Sequence, residues 1–204
     1  LNECNFTFRN CFMDLITTVT YLEMVSYPKH LILTKPEKLN AEIKLMVEPT
    51  VDFYRYLYDT VGEKWTWIER RLLDDNNLQK LIRSSNVEIY ILYVDDNIAG
   101  FGEIGWDTAS NGSEIKYFGL MPEYIGKRLG PYFLNNIINI AWKRNPVRLR
   151  VNTCDLDHPS ALRVYQKSGF NILEEIVEKL PDPTTVGLPH PPSHQERQRR
   201  LNNR

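Results

Sequence analysis

Two things are scarce in this 204-residue sequence: long apolar runs and an excess of either charge. A helix that spans a bilayer needs about 20 consecutive apolar residues. No stretch approaches that length, so a membrane anchor is not expected. The formal net charge is −1, whereas nucleic-acid-binding domains are usually strongly basic. Membranes and nucleic acids are therefore not predicted as partners.

Cysteine is scarce as well. The three cysteines, Cys4, Cys11 and Cys154, are an odd and scattered set that does not resemble a disulfide framework, and no metal site is predicted. A reduced, cytoplasmic setting is the simplest interpretation. The opening residues lack a cationic start followed by a clean apolar segment, so no signal peptide is predicted. Because the chain begins with leucine, one hypothesis is that Met13 is the natural start and that residues 1–12 lie upstream of it.

What the sequence does contain is enough apolar and aromatic material for one folded core. Hydrophobic residues make up 42% of the chain and aromatic residues 11%, and the length suits a single domain. We predict this domain over residues 39–180. Residues 1–38 are predicted as an N-terminal extension. Residues 181–204 are proline-rich and then basic, and we predict a tail with too little apolar surface to fold on its own.

Hydrophobic patterns predict a mixed sheet with flanking helices. Strands are indicated where apolar and polar residues alternate, and helices where apolar residues recur at every third or fourth position. The predicted strands cover 18–25, 41–49, 87–95, 98–106, 114–122, 147–154 and 170–180, and the predicted helices lie within 51–84, 120–142 and 158–169. Because three strands follow one another before the next helix, the fold class is α/β with a mixed sheet, not a strictly alternating one.

One turn carries the strongest chemical signal. Residues 120–142 read LMPEYIGKRLGPYFLNNIINIAW, so a proline-led turn containing Gly126 and Gly130 runs into an amphipathic helix. A helix N-terminus offers unpaired N–H groups and about half a positive charge, and Lys127 and Arg128 add two cations. The turn lacks the ending of a Walker A loop and the spacing of a dinucleotide fingerprint. A phosphate-binding turn and an ordinary helix start both fit this pattern.

Two motifs give this chain a family resemblance. The first is the strand-to-helix turn EIKYFGLMPEYIGKRLG, and the second is HPSALRVYQKSGF further along the chain. Together they resemble the GNAT family of acyl-CoA-dependent N-acyltransferases over about residues 39–180. The second motif carries the family pattern Ala-x-x-x-Tyr-x-x-x-Gly-Phe, which is formed here by Ala161, Tyr165, Gly169 and Phe170.

The resemblance implies a fold and a cosubstrate. In that family a mostly antiparallel sheet splays open at one parallel pair of strands, and coenzyme A lies in the gap, so acetyl-CoA is the expected cosubstrate. The family's phosphate-binding loop corresponds to Gly126, Lys127, Arg128, Leu129 and Gly130.

The same resemblance implies contacts to the rest of the cofactor. Backbone groups of Phe118, Gly119 and Leu120 are expected to face the pantetheine, and the N–H of Leu120 is the expected donor to the acetyl carbonyl. His158 stands where many relatives have an asparagine that contacts the pantetheine.

Three loop residues depart from the family pattern. Ile125 replaces the usual glutamine or arginine, Arg128 replaces a usual glycine, and Pro131 lacks an N–H group. We infer a working loop with fewer backbone donors, in which the cation of Arg128 compensates.

Catalysis in such a site requires a base and an acid. An amine like that of lysine has a pKa of about 10.4, so a group must remove its proton before it attacks the thioester. We predict Glu103 as that base in preference to Glu114, and its alternative is a solvated strand residue. Tyr165 lies where the family has the general acid that protonates the departing thiolate, and its alternative is a core aromatic. Trp65 and Trp67 fall in the region that lines the acceptor side of the cleft in this family.

The expected activity is acetyl-CoA-dependent transfer of an acetyl group to a primary amine of a small molecule or protein. A catalytically degenerate module that binds acyl-CoA or a partner protein stays open because of the loop departures. Cys154 and His158 also suggest a thiol nucleophile with its base, although no third orienting group accompanies them. A homodimer is compatible with the resemblance.

Overall fold

The computed structural model of the protein describes residues 15–36 and 39–191. These residues form seven strands and four α-helices. The strands are β1 (Leu15–Met24), β2 (Ala41–Leu45), β3 (Val87–Val94), β4 (Asn97–Asp107), β5 (Gly112–Leu120), β6 (Arg148–Cys154) and β7 (Asn171–Leu180). The helices are α1 (Val51–Gly62), α2 (Asp75–Ile82), α3 (Leu129–Trp142) and α4 (Ala161–Lys167), and short 3-10 turns cover Glu63–Trp65, Pro122–Tyr124 and Pro183–Val186.

All seven strands belong to one sheet in the order β2-β3-β4-β5-β6-β1-β7. Strands β5 and β6 are parallel, and every other neighbouring pair is antiparallel. The mixed α/β fold predicted from the sequence is therefore confirmed. None of the described helices has both the length and the apolar character needed to cross a bilayer.

The ends of the chain contribute more than the sequence suggested. Strand β1, which falls inside the predicted N-terminal extension, lies between β6 and β7 and pairs with both. At the other end, Pro183 and Leu188 of the predicted tail are buried. The proposed start at Met13 and residues 192–204 of the tail lie outside the described part of the chain.

Local signals position the ends of several elements. Thr50 and Asp74 cap α1 and α2 by accepting hydrogen bonds from the N–H groups of Phe53 and Asn77. Between β3 and β4, Asp95 and Asp96 form a two-residue turn in which both φ angles are positive, at 49° and 64°. A turn of this type matches the right-handed twist of a hairpin.

Two hydrophobic clusters cover the two faces of the sheet. Side chains along β3 alternate between them: Ile89 and Ile91 belong to the cluster under α1 and α2, and Leu92 and Val94 to the cluster under α3 and α4. The predicted amphipathic helix is α3, whose apolar stripe is fully buried at Phe133, Leu134, Ile137, Ile138 and Ala141 and half-buried at Trp142. The sheet is thus covered by helices on both faces, and the site lies where two of its strands separate.

Candidate active site

Strands β5 and β6 separate halfway along their length. They pair in parallel from Gly112–Arg148 to Ile115–Val151 and no further, although β5 continues to Leu120. At the same point the register between β4 and β5 shifts, leaving Lys116 as an extra residue in β5. A bulge of this kind bends the strand and increases its twist, so it accounts for the gap that opens between β5 and β6.

A cavity of about 930 Å³ occupies this gap and extends beneath α1. Most of the predicted site residues line it, although they come from different elements. They are Glu103, Phe118, Gly119, Leu120, Gly126, Arg128, Gly130, His158 and Tyr165.

At one end of the cavity lies the N-terminus of α3. Gly126 and Arg128 both have a positive φ, of 84° and 62°. Arg128 occupies the N-cap position without a capping side-chain bond, and within the described residues the N–H groups of Arg128 and Gly130 donate to no other group. Free donors, a helix N-terminus and a cation at one end of a cavity make an anion site.

Two residues predicted for this loop point elsewhere. The Lys127 ammonium lies 4.7 Å from the centroid of the Tyr124 ring, and Leu129 is fully buried in the core beside Phe133. Neither lines the cavity. The motif identified the loop, but it did not distinguish the side chains that face the gap from those that support the turn.

The backbone of β5 directs a donor into the gap. The N–H of Met121 donates to the carbonyl of Ala99 on β4 at 2.9 Å. Because successive N–H groups of a strand point toward opposite edges, the N–H of Leu120 points away from β4 and toward the gap. Next to it, a methyl group on Gly119 would lie 2.3 Å from Cγ1 of Val61, so a larger residue there would collide with α1.

Tyr165 presents a free hydroxyl to the cavity. Its ring packs edge-on against Phe170, with centroids 6.1 Å apart, and the residue is 7% exposed. Within the described residues its hydroxyl forms no hydrogen bond, although it lines the cavity. Burial and the nearby charge of Asp157 raise the pKa of Tyr165, so the hydroxyl stays protonated at neutral pH.

Glu103 lies in the same cavity wall but is already engaged. It is fully buried, its Oε1 accepts a hydrogen bond from Nη2 of Arg70 at 2.7 Å, and its Oε2 accepts one from the hydroxyl of Tyr54. Burial alone would lower the pKa of Arg70, but the charge of Glu103 and the nearby phenols of Tyr117 and Tyr54 together outweigh that effect and raise it. Glu103 is therefore half of a buried ion pair rather than the solvated strand residue considered as its alternative.

Several cavity residues were not predicted. Glu69 accepts a hydrogen bond from the Tyr117 hydroxyl, and Arg70 stacks over the Tyr117 ring at 4.8 Å from its centroid. Asp157 accepts a hydrogen bond from the indole N–H of Trp67 at 3.4 Å, and burial raises the pKa of Asp157. For Glu69 and Arg70, the sequence pattern that could have indicated a site is the charged triplet at 69–71, which directly follows an aromatic stretch. No comparable pattern marks Asp157.

The thiol and imidazole considered as a nucleophile pair have other surroundings. Burial, followed by the charge of Asp157, raises the pKa of Cys154 to about 12, which disfavours the reactive thiolate. His158 packs edge-on against Trp65 with ring centroids 5.2 Å apart, and its Nδ1 accepts a hydrogen bond from the N–H of Ser160.

Comparison with known proteins agrees with this geometry. The family model described as the acetyltransferase (GNAT) family matches residues 51–170. No curated protein matches the chain.

Several solved structures share the fold. A conserved protein of unknown function from Staphylococcus epidermidis superposes with a TM-score of 0.53 and 18% identity, covering 83% of this chain and 63% of that one. A GCN5-related N-acetyltransferase from Sphaerobacter thermophilus has a TM-score of 0.56 and 13% identity, with coverages of 82% and 53%. For the aminoglycoside N-acetyltransferase AAC(6')-Iy in complex with CoA, the TM-score is 0.51, the identity 12% and the coverages 71% and 97%.

At these identities the likeness concerns the fold alone. This chain also spans less than two thirds of the length of the first two of these proteins, at 63% and 53%. The family model, in contrast, covers residues 51–170, which is more than half of the 204-residue sequence. The chain therefore belongs to the acetyltransferase (GNAT) family.

Proposed function

We propose that the protein transfers an acetyl group from acetyl-CoA to a primary amine by direct attack of the amine on the thioester. One observation carries this proposal: a single cavity joins the free N–H groups at the start of α3, the inward N–H of Leu120 and the unbonded hydroxyl of Tyr165. The presence of CoA in the structure of AAC(6')-Iy, which shares the fold, supports the same cosubstrate.

The loop before α3 fits the pyrophosphate of coenzyme A. Gly126 leaves the backbone open, since a methyl group there would meet nothing within 4 Å, and Arg128 adds a cation. Charge-assisted hydrogen bonds from such groups to phosphate oxygens are stronger than neutral ones. Pro131 has no N–H group to donate to the pyrophosphate. The cation of Arg128 compensates for this missing backbone donor.

The gap between β5 and β6 suits the chemistry of acyl transfer. As the amine nitrogen bonds to the carbonyl carbon, negative charge develops on the carbonyl oxygen, and the N–H of Leu120 stabilises it. The carbon–sulfur bond then breaks, and the Tyr165 hydroxyl supplies the proton that the departing thiolate takes up. The raised pKa of Tyr165 keeps that proton in place until the thiolate forms.

Glu103 lines the cavity, and its role in the proposed function is structural. Both of its carboxylate oxygens accept hydrogen bonds, from Arg70 and from Tyr54. A base that must first break a buried ion pair would be costly to use. We therefore assign Glu103 to holding Arg70 in place, and we look elsewhere for the group that deprotonates the amine.

Calorimetric titration with acetyl-CoA tests the cofactor assignment. We expect micromolar binding by the wild-type protein, weakened about tenfold or more in Arg128→Glu, because a charge-assisted contact is replaced by repulsion. Arg128→Gly is the matched variant: glycine keeps the positive φ of the turn and removes the cationic side chain without adding a negative charge, so it should weaken binding less. Wild-type protein that does not bind acetyl-CoA would refute the proposal.

A second measurement tests the acid. Tyr165→Phe should bind acetyl-CoA like the wild type but release free thiol more slowly in an assay against a panel of primary amines. An unchanged rate would contradict the role of Tyr165. Binding of acetyl-CoA without transfer to any amine by the wild type would favour an acyl-CoA-binding module over an enzyme.

A further inference from the structure

The carboxylates of the cavity differ in whether a cation already neutralises them. Five of them line it: Glu69, Glu103, Glu114, Asp157 and Glu178. Glu103 pairs with Arg70 at 2.7 Å and Glu114 with Lys116 at 2.5 Å. Within residues 15–36 and 39–191, the other three form no ion pair with a basic side chain.

Two of these three are engaged in other ways. Asp157 accepts hydrogen bonds from the Thr153 hydroxyl at 2.8 Å, the Cys154 N–H at 3.0 Å and the indole of Trp67 at 3.4 Å. Its Oδ2 thus holds the β6–α4 connection, and its Oδ1 holds the indole of Trp67. Glu178 lies on the edge strand β7, remote in the sheet from β5, and accepts the hydroxyl of Tyr21 at 2.5 Å.

Glu69 has the most remaining capacity. It is an exposed residue that lines the cavity, and its hydrogen bond within the described residues comes from the Tyr117 hydroxyl. That bond leaves the second carboxylate oxygen open. A carboxylate that is held by a buried tyrosine, lines a cavity and has no cation paired with it is suited to a ligand that brings a positive charge.

The wall beside Glu69 already holds a cation. The Tyr117 ring lies 5.1 Å from the ring of Trp67 and 4.9 Å from that of Tyr58, measured between centroids. Over the same Tyr117 ring, the guanidinium of Arg70 sits at 4.8 Å, which is the geometry of a cation–π contact. The wall therefore offers flat apolar surfaces, and Glu103 already neutralises the charge of Arg70.

This wall extends along β5 from Tyr117 toward Leu120. Tyr117 and Gly119 are two residues apart on β5 and share a face of the sheet, and such residues lie roughly 6.6 Å from each other. Trp67 spans the two positions, since its Cη2 would be 3.7 Å from a methyl group on Gly119. Trp67 thus connects the ring that orients Glu69 with the strand residue next to the Leu120 N–H.

We propose that Glu69, oriented by Tyr117, binds the ammonium group of the acceptor and removes its proton; this assignment rests on the proposed acetyl transfer. The acceptor is a primary amine, cationic at neutral pH, attached to a flat or apolar group that packs against Trp67. The proton passes from the ammonium nitrogen to a carboxylate oxygen of Glu69, and the nitrogen lone pair then forms the new bond to the acetyl carbon. The nitrogen loses its second proton as the carbon–sulfur bond breaks, and that proton restores the Tyr165 hydroxyl that has protonated the thiolate. The proton on Glu69 leaves to bulk water because Glu69 is exposed, so each transfer releases one proton.

The groups that face Glu69 set the conditions for this step. They are the phenols of Tyr117 and Tyr58, the guanidinium of Arg70 and the carboxylate of Glu103 behind it. The Arg70–Glu103 pair is balanced in charge, so Glu69 contributes the local excess of negative charge.

The test uses a probe amine and its neutral isostere on the intact chain. Benzylamine and benzyl alcohol have the same shape, and binding is followed by the fluorescence of the tryptophans beside the cavity. We expect the wild type to bind benzylamine about tenfold more tightly than benzyl alcohol, and Glu69→Gln to bring that ratio close to one. Glu63→Gln is the matched control, because Glu63 is exposed on the same segment and does not line the cavity; it should keep the wild-type ratio.

Three results would overturn the assignment. They are no preference for benzylamine in the wild type, a preference that survives in Glu69→Gln, and a preference lost equally in Glu63→Gln. Acetyl-CoA binding by each variant, measured by calorimetry, should equal that of the wild type. If acetyl-CoA does not bind the wild type at all, the proposed function fails, whereas normal acetyl-CoA binding with no amine preference removes only the role of Glu69.

Transfer to benzylamine tests the proton step separately. Thiol release by Glu69→Gln should be slower than wild type at neutral pH, and the deficit should shrink as the pH approaches the pKa of the probe, because the amine then arrives neutral. A deficit that is the same at every pH would indicate a merely structural effect. Wild-type protein that binds benzylamine without acetylating it would overturn the proton-transfer half of the proposal.

Discussion

Replacement of Arg70 by methionine would show how the acceptor side of the cavity is held together. The Arg70 guanidinium lies 2.7 Å from Glu103, and the two side chains are 14% and 0% exposed. Removing one partner of a buried pair leaves the other charge unpaired, which typically costs about 3–5 kcal/mol. The Tyr54 hydroxyl still donates to Glu103, so we expect the lower end, a loss of about 3 kcal/mol in the free energy of unfolding.

Urea unfolding followed by circular dichroism measures this loss, and two further variants define its origin. Arg70→Met combined with Glu103→Leu removes both charges and should recover most of the stability, because no buried charge is left without a partner. Arg71→Met is the matched control. Arg71 pairs with Asp59 at 2.9 Å, but that carboxylate is 44% exposed, and such pairs contribute at most about 1 kcal/mol.

Two outcomes would contradict the prediction that Arg70 and Glu103 form a buried ion pair. If Arg70→Met and Arg71→Met cost the same within error, the Glu103 pair is not a buried interaction in solution. If the double variant is less stable than Arg70→Met alone, Glu103 has other partners that stabilise its charge. Either result would also return Glu103 to consideration as the catalytic base, because its carboxylate would then be available.

Two further predictions concern groups whose pKa is shifted. Because burial raises the pKa of Cys154 to about 12, iodoacetamide at neutral pH should label this residue only after unfolding; mass spectrometry locates the label, and rapid labelling of the native protein would contradict the prediction. The hydrogen bond to Glu178, and then burial, raise the pKa of Tyr21 to about 12, above the unfolded value of about 10. Its contribution to stability is thus present below pH 10 and lost as the pH rises through 12. The titration of Tyr21 should appear as a difference in phenolate absorbance between the wild type and Tyr21→Phe. In Glu178→Gln the pKa of Tyr21 should move toward about 10. A pKa unaffected by that change would contradict the role of the Glu178 hydrogen bond.

The sequence predicted those parts of the molecule that depend on local patterns. The glycine turn before α3 and the amphipathic helix that follows it each depend on a few adjacent residues. It did not predict that β1 lies in the interior of the sheet, because strand order depends on pairings far apart in the chain, such as Thr20 with Thr153. The site shows the same limit: Trp67 meets Asp157 across 90 residues, and no periodicity connects them.

The two halves of the cavity differ in how far the sequence predicts them. The half assigned to the cosubstrate uses backbone groups at Leu120 and at the start of α3, and glycine spacing in the sequence reveals where a backbone is left bare. The half that we propose for the acceptor is lined by side chains of the segment after α1, chiefly Trp67, Glu69 and Arg70, whose positions depend on which strand they pack against. A match to a family of acetyltransferases therefore constrains the donor of the acetyl group far more than its recipient. We propose that the residues around Tyr117 select the amine, because a carboxylate, a guanidinium and an aromatic wall meet there.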